Sequence, residues 1–142
     1  MHAFGIRLGY YNPRDWQQAR YVDPVIDIWN DIQGASGAVL FAADDAKPAL
    51  MEKYGSVICV AFRLFESMFN HHNGKYIGGN CVTIADFICA SIIACILMND
   101  KSPFQAVAKQ YVQGNPKFQA YCKMLWNEFP YLKQREGKLG PI

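Results

Sequence analysis

Apolar positions recur along the chain at steps of three and four, the period of a helix with one buried stripe. The first such run is Trp16, Ala19, Val22, Ile26, Trp29 and Ile32. Pro24 falls inside it. An interior proline lacks the N–H donor and crowds the carbonyl one turn back, at a cost of ~3 kcal/mol. The segment therefore either kinks there or restarts with Asp23 as cap and Pro24 at the first helical position. Gly34 and Gly37 weaken its end. A second run (Leu50, Tyr54, Val57, Ile58, Ala61, Phe65, Met68, Phe69 and His72) opens near Pro48 and stops at Asn73-Gly74. Its stripe is wide, which predicts a central helix. From Thr83 to Met98 the segment is apolar all round, yet shorter than the ~20 residues a bilayer span needs, so it predicts a buried core helix. Phe104, Val107, Ala108 and Tyr111 follow Ser102-Pro103 and end at Gly114. Asn115-Pro116 then reads as cap and first turn for Phe118, Tyr121, Cys122, Leu125 and Trp126, and Pro130 opens a short last piece. No stretch alternates apolar and polar residues between turn signals. The pattern predicts one all-α helical bundle spanning residues 1–142, with about five main helices.

Composition adds exclusions. The chain has 142 residues, 51% of them hydrophobic, enough to bury a core in one domain. Fourteen basic residues against 12 acidic leave a net charge of +2, with no dense basic run to track a phosphate backbone, so nucleic acid is not the expected partner. The cysteines (Cys59, Cys81, Cys89, Cys95, Cys122) are odd in number, form no C-x-x-C pair and mostly sit among apolar neighbours, as reduced core thiols do. That fits the cytoplasm or another reducing intracellular compartment, a mitochondrial assembly included. No amino-terminal segment has the apolar run and cleavage site of a secretory signal, and no membrane span is expected. His71-His72 does not suggest a metal site, because adjacent helical residues diverge by ~100° and no third ligand stands at a helical offset.

One polar pair stands out in the third segment. Thr83 and Asp86 occupy the two positions of a capping box, in which the hydroxyl serves the N–H of Asp86 and the carboxylate reaches back to the N–H of Thr83. A helix buried on every side cannot leave its first N–H groups to water, so it brings its own acceptors. The pair belongs to the fold before it belongs to any chemistry.

Gly79-Asn80-Cys81-Val82-Thr83-Ile84-Ala85-Asp86 resembles the capping motif Gly-Asp-x-apolar-Ser/Thr-x-Ala-Asp of the helical carboxy-terminal domain of cytosolic glutathione transferases, with Asn80 where Asp is usual. Leu8-Gly9-Tyr10-Tyr11, Gln17 to Asp23, and the aspartates Asp27 and Asp31 are similar to the junction and first long helix of the tyrosine-type classes (pi, mu, sigma). Pro116 to Tyr121 and Phe129 to Lys133 resemble the closing helices. On this resemblance residues 1–12 correspond to the junction with a thioredoxin-like domain, which in the family holds glutathione and activates its thiol.

The resemblance implies no catalytic residue in this sequence and no cofactor; glutathione enters as co-substrate only where that other domain is present. It implies two substrate-side positions. Asp31 matches the aspartate that reaches across the dimer interface to the glutamyl ammonium of the partner's glutathione, and Phe41 falls near an aromatic lining the hydrophobic-substrate pocket. Read from spacing alone, Asp23, Asp27 and Asp31 make a solvated acidic face equally well, and Phe41 a core or interface residue. Tyr10, Tyr11, Trp16 and Trp29 are the aromatics expected on surface that a partner covers. Two functions remain open: a non-catalytic interaction or assembly module acting with a protein partner or as a homodimer, and the substrate-side half of an active transferase.

Overall fold

The computed structural model describes residues 2–71 and 73–135; Met1, His72 and residues 136–142 lie outside the described residues. The architecture is all-α, with helices α1 (His2–Leu8), α2 (Trp16–Leu40), α3 (Lys47–His71), α4 (Ile84–Ile92), α5 (Gln105–Gln113), α6 (Pro116–Glu128) and α7 (Pro130–Arg135). A π-helical turn, Ile93–Leu97, continues α4.

Local chemistry sets the helix ends. Gly9, at φ 78°, closes α1 in a left-handed cap: its N–H donates to the Ile6 carbonyl at 3.2 Å and that of Tyr10 to the Gly5 carbonyl at 2.8 Å, the paired bonds of a Schellman motif. Asp15 caps α2 by accepting from the N–H groups of Gln17 and Gln18 at 3.0 and 3.4 Å. Asn115 does the same for Phe118 at 2.9 Å, with Pro116 opening α6 as its spacing predicts.

Pro24 neither ends nor restarts α2, which runs through it and through Gly34 and Gly37 to Leu40. The carbonyl that the proline leaves without an N–H belongs to Arg20, an exposed residue that water can serve. The third segment also departs from the expectation of one regular helix. Its last turn widens, so that the Met98 N–H donates to the Ile93 carbonyl five residues back at 2.8 Å.

α3 is the central helix. It buries Tyr54, Ile58, Ala61, Phe62, Phe65, Met68 and Phe69, and packs against α2, α5 and α6. Phe118 and Tyr121 from α6 complete an aromatic cluster with Phe62, Phe65 and Phe69. Among the described residues the sole β feature is an isolated bridge between Tyr76 and Gly79 in the loop after α3.

Candidate functional site

The loop of residues 73–83 and the start of α4 converge on Asp86, whose side chain has no exposed surface. Its Oδ2 accepts from the N–H and the hydroxyl of Thr83 at 2.7 and 2.9 Å, and its Oδ1 from the N–H of Ile77 at 3.0 Å and the phenol of Tyr121 at 2.7 Å. The capping-box arrangement of Thr83 and Asp86 is present, with one difference from the sequence expectation. The Thr83 hydroxyl makes no full hydrogen bond to the Asp86 N–H; it turns its proton onto the carboxylate, and that N–H meets the Thr83 carbonyl at 3.1 Å. Burial pushes the Asp86 carboxyl up, against four donors that pull it down. Burial likewise pushes the Cys89 thiol and the Tyr121 phenol well above their usual ranges, so neither is an activated group. Around this centre the loop is clamped to α6 by Glu128, which binds the Lys75 ammonium and accepts from the Tyr76 hydroxyl at 2.8 Å. The cluster is scaffold. Tyr121 and the Ile77 N–H were not foreseeable from spacing, since Tyr121 lies 35 residues from Asp86; the sole sequence signal was that a buried tyrosine hydroxyl needs a partner.

The sequence-derived surface residues separate when placed on the fold. Asp31 is exposed on α2 and borders two hollows of about 330 Å³ each between α2 and α3, both of which Lys53 and Val57 also line. Val60, at the edge of one hollow, is 63% exposed. The small residues Gly34, Ala35 and Ala38 leave the other shallow. Phe41, just past the end of α2, is 92% exposed and belongs to no core.

Of the four interface aromatics, Trp16 and Tyr10 are exposed, Trp29 is half-buried, and Tyr11 is buried, which corrects its expectation as surface. Tyr11 is 7% exposed, and its hydroxyl donates to Asp23 at 2.8 Å, which locks the strand of chain after α1 onto α2. Burial, and after it the Asp23 carboxylate, push this phenol up to about 12. His2 Nε2 lies 3.1 Å from the same carboxylate, so the start of α1 and the segment that follows it both meet Asp23. Trp29 is half-buried and packs on the core, because α2 turns it toward the bundle. Tyr10 combines two roles: its ring meets Phe87 edge-on at 5.1 Å, and its carbonyl accepts the Ile84 N–H at 3.0 Å, serving the first turn of α4. The exposed Phe4 and Leu8 stand one turn apart on α1, two apolar surface residues beside the aromatics the sequence singled out.

Comparison with curated proteins and with solved structures returns no match. The model of the glutathione S-transferase C-terminal domain family matches residues 30–129, a span that runs from the middle of α2 to the end of α6 and contains Asp31, Phe41, Thr83 and Asp86. The buried aspartate cap of α4 and the all-helical architecture are those expected of such a domain, and with most of its length matched the chain belongs to the glutathione S-transferase C-terminal domain family.

Proposed function

We propose that this chain acts as a non-catalytic assembly module that associates through the outer face of α2 and α3. The observation that carries this reading is the exposed Val60 at the edge of one of the two hollows that Asp31 and Lys53 share. In a twofold assembly each patch meets itself, so an acidic and a basic residue on one patch are complementary across the axis. The apolar centre supplies the driving force and the charges fix the register. Asp86, Cys89 and Tyr121 are occupied in holding the fold, and no residue is assigned a catalytic role.

Sedimentation of the native protein tests this. A dimer or a larger complex is expected, and Val60→Glu should weaken association at least tenfold. Because Val60 is largely exposed, the folding stability of that variant should stay within about 0.5 kcal/mol of the original. A native monomer at micromolar concentration, or an assembly indifferent to Val60→Glu, would refute the proposed face.

The second reading is the substrate-side half of a tyrosine-type transferase that carries a thioredoxin-like domain ahead of this chain. It is favoured by the exposed aromatics Phe4, Trp16 and Phe41, which such a domain would cover. Asp31 would then reach the glutathione of the other protomer and Phe41 would line the electrophile pocket. The intact mass of the polypeptide from its native source separates the two: 16.1 kDa supports the module, and a substantially larger chain supports the transferase.

A further inference from the structure

Four residues of α6 (Lys117, Ala120, Tyr121 and Met124) repeat at steps of three and four and so share one stripe of that helix. Together with Phe69 near the end of α3 and Lys75 in the loop that follows, they line a hollow of about 360 Å³. No residue of α2 borders it, and Phe41 does not, so it is separate from the association face and from both substrate-side positions.

The walls are apolar and the rim is basic. Phe69 and Tyr121 belong to the aromatic cluster, and the Tyr121 hydroxyl is committed to Asp86, so both residues offer the hollow ring carbon. Met124 adds an unbranched thioether side chain that adapts to what lies against it. The lining residues include two ammonium groups and no carboxylate. Those two groups are not alike. Lys75 is neutralised by Glu128, whereas Lys117 Nζ donates to the Phe69 carbonyl at 3.2 Å and to Asn70 Oδ1 at 2.9 Å, both neutral oxygens. The Lys117 charge is therefore held in place without being compensated. An ammonium has three N–H donors, so one remains for a further acceptor. The side-chain freedom that a lysine gives up when it binds an anion has here been given up already, to the protein's own oxygens. The loop wall is also preformed: a Cβ at Gly74 would stand 2.5 Å from the Gly79 backbone, so the loop folds closely on itself, and Glu128 pins Lys75 and Tyr76 to α6.

We propose that this hollow binds a small monocarboxylate with an aryl-alkyl body, whose carboxylate accepts from Lys117 Nζ and whose body lies on Phe69, Tyr121 and Met124. One negative charge matches the one uncompensated ammonium. A second carboxylate oxygen can accept from the amide of Asn73, which lines the same hollow. A bare anion would leave the apolar wall unused, and an exposed ion pair by itself is weak. At ~30 Å³ per water-sized group the space admits a body of at most about twelve heavy atoms.

The test titrates 3-phenylpropionate, its neutral isostere 3-phenylpropionamide, and acetate into the full chain, followed by amide chemical shifts. Saturable binding of the acid is expected at millimolar concentration, the scale for a ligand of this size. The amide should bind at least fivefold more weakly and acetate should not saturate, with shifts centred on Gly74, Lys75, Ala120 and Met124. Lys117→Gln should leave the amide's affinity unchanged and erase most of the preference for the acid. Ala120→Trp should block both compounds, since Ala120 is exposed on the lining stripe and a large side chain there fills the hollow without entering the core. Circular dichroism and thermal melts establish that both variants fold, and the Ala120 variant decides the site if Lys117→Gln does not. Equal affinity for acid and amide, a preference that survives Lys117→Gln, binding undisturbed by Ala120→Trp, shifts centred elsewhere, or no saturable binding would each overturn the proposal. None of these outcomes bears on the α2–α3 association face.

Discussion

Replacing Asp86 with alanine should cost about 4 kcal/mol of unfolding free energy, a large share of the ~5–15 kcal/mol that holds a domain of this size. The carboxylate accepts four hydrogen bonds in a place water does not reach, and two of its donors are backbone N–H groups that cannot turn elsewhere. Each buried donor left without an acceptor costs ~1–3 kcal/mol. Tyr121→Phe removes one donor and leaves the carboxylate three, so it should cost only about 1 kcal/mol. Thr83→Ala should be non-additive with Asp86→Ala by more than about 0.5 kcal/mol in a denaturant double-mutant cycle, because both act on one pair of contacts. Additive losses, or an Asp86→Ala cost below about 2 kcal/mol, would remove Asp86 from the centre of the fold.

The same group carries a pH signature. Its carboxyl is raised in the folded state, so its contribution is fully present below the unfolded value of ~3.9 and is lost as the pH climbs through the folded value. Wild type should therefore lose stability relative to Asp86→Asn as the pH rises from about 4 toward neutral. A difference that is flat with pH, or that grows in favour of wild type, would contradict the direction.

Helix existence and extent were legible because apolar period and caps agree. The runs from Trp16, Leu50, Thr83, Phe104 and Phe118 each became a helix, and Thr83 and Asp86 stand where a capping box places them. Of the two alternatives at Pro24 the restart is excluded, because α2 is continuous through it; the choice turned on the exposure of the carbonyl the proline affects, which only tertiary placement decides. The π turn was hidden for a different reason: every residue from Ile93 to Leu97 is apolar, so the pattern carries no phase to register one extra residue per turn. Tyr11 was assigned to surface as an aromatic near a junction, yet period alone cannot say which apolar residue faces which neighbour, and it is buried. The Asp86 network was half readable. The contacts with Thr83 are local, whereas those from Ile77 and Tyr121 arise from a loop and a helix that meet it through space.

Phe118→Ala should cost about 3–5 kcal/mol, close to the loss at Asp86 but by a different mechanism. Phe118 is 1% exposed. Its ring stacks on Phe65 with centroids 5.1 Å apart and planes 2° from parallel, meets Phe62 edge-on at 5.1 Å, and touches Phe69 and Tyr121 at 6.5 and 5.9 Å. Truncation forfeits the transfer free energy of the ring and leaves a void that three helix-borne aromatics on α3 cannot collapse into, since each is already packed on its far side against the bundle. The backbone bond from the Phe118 N–H to Asn115 survives, so the helix cap is not part of the loss. Phe41→Ala is the matched control: the same chemical change at a residue 92% exposed should move stability by less than about 0.5 kcal/mol. Chemical denaturation of the two variants beside wild type measures both. A Phe118→Ala loss under about 2 kcal/mol would mean that the α3–α6 aromatic cluster repacks freely, and the rigid seat it gives Tyr121 at the Asp86 carboxylate would lose its physical basis.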